Sequence, residues 1–208
     1  MRVVASGRTD AGVHAEAQIA HVSTRSTIPA ARLLRSVNAL LPPDIAVSHV
    51  EEASRRFHAR FDARTKRYRY RIFTGEVVPP FVRPYVHQVR VPLDVARMRR
   101  EVQALRGRYD FRAFARAEAA RERPTNKAVT NVQLARRGRE LHLTIEGNGF
   151  LHTMVRSIAG TLIDVGRGRL PAGTVGRMLA TGGRHLAGAT APSRGLCLVS
   201  VRYQQEGR

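Results

Sequence analysis

Between Gly7 and Gly12 the chain places Arg8, Thr9 and Asp10, with His14 close behind, in the run Ala5-Ser6-Gly7-Arg8-Thr9-Asp10-Ala11-Gly12-Val13-His14-Ala15. Glycine adopts backbone conformations closed to other residues, so a carboxylate between two glycines can sit on a tight turn and be presented at a cleft wall. There it can act as a nucleophile or as a general acid or base. The plainer reading is a loop in which Asp10 caps the following turn and Arg8 is its ion-pair partner. A second group lies between Lys66 and Phe73, where Arg67, Arg69 and Arg71 alternate with Tyr68, Tyr70 and Ile72. In a strand this alternation puts guanidinium groups on one face and rings on the other. A tyrosine there offers a ring that can stack and a hydroxyl that can help move a proton. The same tyrosines serve equally well as core residues.

Charge narrows the partner. There are 36 Lys and Arg against 16 Asp and Glu, a formal net charge of +20, which points to a polyanion. An arginine-rich composition spread along the chain is the bland account of the same number. Arg55, Arg56, Arg60, Arg64, Lys66, Arg67, Arg69 and Arg71 crowd the approach to Tyr68 and form the candidate surface for a nucleic-acid backbone. His14, His58 and His152 lack the spacing of a metal site, so no metal is expected. Gly166-Arg167-Gly168 and Gly182-Gly183 lack the strand-to-helix setting of a nucleotide-cradling loop, and no cofactor is expected. The single cysteine, Cys197, excludes a disulfide within the chain and fits a reducing, cytoplasmic setting. No apolar run reaches eighteen residues and no signal core is present, so neither a membrane span nor secretion is expected.

These residues need a scaffold. Gln18 to Val22, Pro29 to Leu41 and Ile45 to Val50 read as strand, helix and strand. The helix has Ser26 or Thr27 as cap, Pro29 in its first turn, and an apolar face of Leu33, Leu34, Val37, Leu40 and Leu41 suited to lie on a sheet. Further on come a strand at Lys66 to Phe73, a helix at Asp94 to Leu105, and a hairpin of Val129 to Ala135 with Glu140 to Glu146 across Arg137-Gly138. Helices follow at about Leu151 to Val165 and Ala172 to Ala180, then a last strand at Cys197 to Tyr203. Residues between Ala113 and Pro124 read as a solvated loop. The order suggests an α+β fold with antiparallel sheets covered by helices on one face. In the helix after Leu151, Met154, Ile158 and Leu162 mark one stripe; Arg156 leaves it and reads, from pattern alone, as a surface charge.

Gly7-Arg8-Thr9-Asp10-Ala11-Gly12-Val13-His14 resembles, letter for letter, the signature of the tRNA pseudouridine synthase A family. Other segments agree in order: Asn38-Ala39-Leu40-Leu41-Pro42, Phe57-His58-Ala59-Arg60-Phe61, Lys66-Arg67-Tyr68-Arg69-Tyr70, Asp110-Phe111 with Phe114, Phe150-Leu151-His152 with Met154-Val155-Arg156, and Gly195-Leu196. The resemblance implies that Asp10 is the nucleophile, that Arg8 and Arg156 lie near its carboxylate or a substrate phosphate, and that Tyr68 meets the target base. It further implies substrate contacts from Thr9, His14, Arg60, Arg67 and Leu196, the last as an apolar wall of the uracil pocket.

The chemistry so implied is conversion of uridine to pseudouridine in the anticodon stem-loop of tRNA, by a homodimer, without cofactor or metal. The N1 glycosidic bond breaks, the uracil turns, and C5 joins the same sugar. A carboxylate taken out of water tends to keep its proton, and a neighbouring guanidinium opposes that, which is why arginine belongs beside such a nucleophile. Attack at C1′ and addition to C6 both remain open. The implied architecture is two RRM/ferredoxin-like lobes whose antiparallel sheets join into one extended sheet. Residues 1–57 would form the lobe carrying the Asp10 loop and residues 58–208 the lobe that completes the site. Family members carry a strand, a glycine-rich turn and a helix before this motif, so either the chain starts at a misplaced or alternative initiation site, or the first lobe is shortened and leaves a sheet edge and an apolar face uncovered. Rival readings are a non-catalytic RNA-binding module, an inactive truncated synthase, and a base-removing glycosylase, which would release free uracil.

Overall fold

The computed structural model describes residues 2–116 and 124–203, which hold nine strands and four helices. In chain order these are β1 (Val3–Ala5), β2 (His14–Ala15), β3 (Ala20–Val22), α1 (Ala30–Leu40), β4 (Ala63–Phe73), β5 (His87–Gln88), α2 (Val95–Gln103), β6 (Gly107–Asp110), β7 (Asn126–Arg137), β8 (Glu140–Gly147), α3 (Met154–Gly166), α4 (Thr174–Thr181) and β9 (Leu196–Tyr203). β1 and β3 form a separate antiparallel ribbon. The other seven strands form one sheet in the order β2, β9, β4, β8, β7, β6, with β5 paired to the end of β4. The sheet is antiparallel except for the short pairs of β2 with β9 and of β4 with β5. The α+β class is the one expected from the order of elements.

Period-two alternation divides the large sheet into two unlike faces. Tyr68 stands in register between Ile145 and Leu198, and Tyr70 between Leu143 and Leu196. These residues, with Ile72, Leu141 and Leu134, are buried, and α2 and α3 cover them with Met98, Val102, Met154, Ile158 and Leu162. On the other face Arg67 pairs with Glu146 directly across the ladder, its Nε donating to Oε2 at 2.7 Å. Arg71 donates Nε and an Nη to the two oxygens of Glu140, each at 2.8 Å. That hydrogen bonding holds the Glu140 carboxyl below its usual range. Between Arg67 and Tyr68 the pairing of β4 with β9 slips by one residue. Such a bulge re-aims the side chains beside it, and here that side chain is Tyr68.

Several expectations shift in detail. The helix expected from Leu151 begins at Met154, because Thr153 breaks the helical path with φ 65°. Ile45 to Val50 is no strand: the Asn38 side chain accepts from Val47 N and donates to Val47 O, both at 2.8 Å, and so takes the place of a neighbouring strand. α1 forms where expected, yet none of its residues is buried and Leu40 is 87% exposed, so its apolar face is not sealed onto a sheet. Of the loop expected between Ala113 and Pro124, Ala113 and Phe114 lie in a buried 3-10 turn, and residues 117–123 lie outside the described residues.

One buried acid fastens two helices. Glu101 of α2, 5% exposed, accepts from Gly173 N at 2.5 Å and Val175 N at 2.9 Å, so it satisfies the free amides that open α4. Glu101→Ala is expected to lower the unfolding free energy by about 2–3 kcal/mol, since two amides lose a charged acceptor. Glu101→Gln, which keeps one acceptor oxygen, should lose less. Urea unfolding of the three proteins measures the order.

Candidate active site

The loop that presents Asp10 is held from several sides. Ser6 is fully buried; its amide donates to Ile19 O at 2.7 Å and its hydroxyl to Gln18 Oε1 at 2.6 Å. Gln18 in turn donates to Gly7 O at 3.0 Å. Lys66 of β4 reaches back to Ser6 O at 2.5 Å. Burial, followed by the neighbouring Arg60 charge, pushes the Lys66 ammonium below its ordinary pKa. After Asp10 the chain turns, with Val13 N donating to Asp10 O at 3.0 Å and Gly12 at φ 77°. A Cβ on Gly12 would stand 2.8 Å from Ser193 Oγ, so both the backbone angle and the close approach call for glycine. The chain then enters β2, whose pairing with Cys197 and Leu198 brings the loop alongside β9.

Asp10 meets α3 across this junction. Arg156 donates an Nη to Asp10 Oδ2, and His152 Nε2 donates to Asp10 Oδ1 at 2.8 Å. The Asp10 side chain is 24% exposed, that of Arg156 19% and that of His152 44%. The guanidinium is aimed by backbone, since Arg156 Nε donates to Ala191 O at 2.8 Å while Ala191 N donates to Arg156 O at 3.1 Å. One turn along α3, Gly160 lies so close to the same segment that a Cβ would fall 1.7 Å from Ala189 O. Arg156, which pattern alone makes a surface charge, is turned inward by this segment.

Tyr68 lies beside this carboxylate. Its ring packs edge-on against Phe150, with centroids 5.0 Å apart. Burial, reinforced by the Asp10 charge, pushes its phenol up to about 12, so the hydroxyl is protonated and can donate at neutral pH. Leu196, also buried, follows the turn at Gly195, where a Cβ would meet the Tyr70 ring at 2.7 Å. Tyr70 is fixed through its hydroxyl to Pro192 O at 2.8 Å.

The remaining residues singled out by sequence do not gather on the carboxylate. Arg8 and Thr9 are exposed on the loop, and among the described residues Asp10 takes its side-chain hydrogen bonds from Arg156 and His152 rather than from Arg8. His14 bonds through Nε2 to Pro84 O at 3.0 Å and packs on Tyr85. Arg60 lies over the Phe61 ring, 5.9 Å from its centroid. Arg67 is on the opposite sheet face with Glu146. His152 and Lys66 are the contributors whose place the sequence reading missed. His152 stands four residues before Arg156, a spacing that in a helix running from Leu151 would have put both side chains on one face; the helix begins only at Met154, and the two reach Asp10 from different backbone settings. Among the described residues, no group of three or more His, Cys, Asp and Glu gathers as a metal site, and no helix is long and apolar enough to cross a membrane.

Residues 102–204 match the family model described as tRNA pseudouridine synthase. Over 196 residues the chain is 45% identical to tRNA pseudouridine synthase A of Halalkalibacterium halodurans, an overlap of 94% of this chain and 74% of that protein. The protein of the same name from Moorella thermoacetica is 42% identical over 96% of this chain and 81% of its own length. That of Solibacter usitatus is 44% identical over 98% and 82%.

The buried phenol makes a pH prediction. Between about pH 10 and 12 an unfolded tyrosine has lost its proton while Tyr68 in the fold keeps its own. The folded state then binds the extra proton, so its stability must fall as pH rises through this window. Tyr68→Phe is expected to make that decline shallower by about 1.4 kcal/mol per pH unit, one proton's worth. Urea midpoints measured from pH 9 to 12 test it.

Proposed function

The chain belongs to the tRNA pseudouridine synthase family, whose reaction is the isomerisation of uridine in tRNA, and we propose that Asp10 is the nucleophile with which it carries this out. The observation that carries the reading is the double hold on the Asp10 carboxylate, partly withdrawn from water, beside a buried tyrosine. An ionised nucleophile in a water-poor site needs fixed donors in place of hydration, and Arg156 supplies a charged one.

A uridine flipped from the tRNA would stack its base on Tyr68 and Phe150 against the Leu196 wall. Asp10 then displaces the base, at C1′ or by way of C6, and the freed uracil turns to offer C5 to the sugar carbon. Arg156 holds the carboxylate in place until it attacks and again when it leaves. With its pKa pushed to about 12, Tyr68 is a donor rather than a base at neutral pH, so it can steady the charge on the detached uracil. The C5 proton passes to the regenerated carboxylate or to water, and N1 gains one, so the atoms balance without a redox partner.

The same reading takes the anticodon stem-loop as target, the exposed Arg8 and Thr9 as backbone contacts, and the cytoplasm as setting. It also takes a homodimer, which the uncovered apolar side of α1 supports. The division at residue 57 is read as functional: the first part brings the nucleophile and the second brings Tyr68, Arg156 and Leu196.

Two variants test the assignment. Asp10→Asn is expected to bind tRNA as the parent does and to release no tritium from tRNA labelled at C5 of uridine. Release of label by this variant rejects Asp10 as nucleophile, and free uracil from the parent favours a glycosylase. Arg156→Lys, which cannot hold both Asp10 and Ala191 O, should lower single-turnover rates by about 100-fold or more, in line with loss of a charged hydrogen bond in a transition state.

A further inference from the structure

We infer that His152 is a positioning residue for the nucleophile, a second hand on the Asp10 carboxylate that fixes which oxygen faces the incoming nucleotide. The inference rests on the assignment of Asp10 above and adds a group that the sequence reading left without a role. It begins with a backbone anomaly. Among the described residues Thr153 is the one non-glycine at positive φ, 65°, and it is β-branched, the side-chain type least suited to that region. Its hydroxyl is buried without a hydrogen-bond partner. Strain of this kind persists where surrounding structure imposes it, and it concentrates at functional sites.

What the strained residue achieves is visible on both sides. After it, α3 starts at once, with Ser157 N donating to Thr153 O at 2.9 Å. Before it, Arg116 N donates to His152 O at 3.3 Å and fixes the backbone. His152 is thereby turned toward Asp10 although it stands outside the helix that carries Arg156. A regular helix running back through 152 would have set the two side chains one turn apart on a single face. The left-handed step at 153 lets them take different oxygens, Arg156 on Oδ2 and His152 on Oδ1.

Two donors on two oxygens fix the rotation of a carboxylate about its Cβ–Cγ bond, whereas a single donor leaves it free to swing. The donors are unequal. Arg156 is the more buried and is fastened to Ala191 O, while His152 is 44% exposed. The imidazole is thus the more accessible of the two donors, and it sets the direction of Oδ1. A neutral imidazole protonated at Nε2 suffices for this, so no change of charge is needed during turnover. The ring also adds a polar edge near Tyr68, whose other neighbour, Phe150, is apolar.

The test uses the full chain and tRNA labelled with tritium at C5 of uridine, with single-turnover release and tRNA affinity measured separately. His152→Leu should reduce the single-turnover rate about 10-fold or more while tRNA affinity stays within about twofold, as expected for loss of a hydrogen bond to a charged group that acts after binding. His152→Gln keeps an N–H donor near the Nε2 position and should recover most of the rate. A loss of equal size in both variants, a loss confined to affinity, or no loss at all overturns the inference. Asp10→Asn, run alongside, separates the two claims. If Asp10→Asn is inactive and His152→Leu is unimpaired, the nucleophile stands and the positioning role is gone. If Asp10→Asn turns over normally, the nucleophile assignment fails and takes this one with it.

Discussion

Asp10 and Arg156 meet across 146 positions of sequence, and the arrangement of the molecule around them makes sense through that meeting. A carboxylate at 24% exposure has given up much of its water, and a charge so treated costs free energy unless fixed donors replace the lost hydration. The guanidinium does this from a direction set by backbone, because its Nε is already committed to Ala191 O. Pairs of this kind add little to stability over an apolar alternative, yet removing one member leaves a stranded charge. The pair is therefore better understood as a way of aiming the carboxylate than as a contribution to folding.

Both partners are brought in by close packing rather than by long flexible side chains. The Asp10 loop is tied through Ser6, Gln18 and Lys66, then drawn onto the large sheet by β2. Arg156 is carried by α3, whose apolar side is buried on β4 and β8 and which Gly160 brings into contact with Ala189 O. Any side chain at 160 would push away the segment that ends in the carbonyl holding Arg156. The constraint at Gly160 thus belongs to the site as much as to the core. Tyr68 is placed by the same logic, since its neighbours in register, Ile145 and Leu198, lock the ring while the adjoining slip in pairing turns its hydroxyl toward the loop.

Much of this was readable in the amino-acid sequence where a local rule decides. Period-two alternation foretold the buried face of β4, and the apolar stripe of Met154, Ile158 and Leu162 foretold the buried side of α3. The eight-residue match around Asp10 singled out the carboxylate. What stayed hidden depends on contacts distant in sequence or on single backbone angles. Arg156 leaves the apolar stripe, and pattern alone says nothing of Ala191 turning it inward; the resemblance alone put it near the carboxylate. Nor does pattern mark the left-handed Thr153 that turns His152 toward Oδ1. Ile45 to Val50 carries strand composition and forms no strand, because one side chain, Asn38, satisfies the backbone first.

The charge of +20 looks different once the pairs are known. By position along the chain, Arg67, Arg69 and Arg71 were the natural track for an RNA backbone. In the fold they face Glu146, Glu16 and Glu140, with Arg67 and Arg71 closely bonded and Arg69 at 3.6 Å from its partner. To grip a phosphate, Arg71 would first have to give up two good hydrogen bonds, so much of the attraction would be spent in exchange. Cross-strand pairs of this kind serve the sheet, and by holding β4 in register with β8 they keep Tyr68 in its row. Arginines outside the ladder, such as Arg8, Arg55 and Arg56, are exposed to solvent instead. The strand thus divides its two kinds of residue between two faces, the rings packed into the core and the guanidinium groups toward the frame that keeps the rings in place.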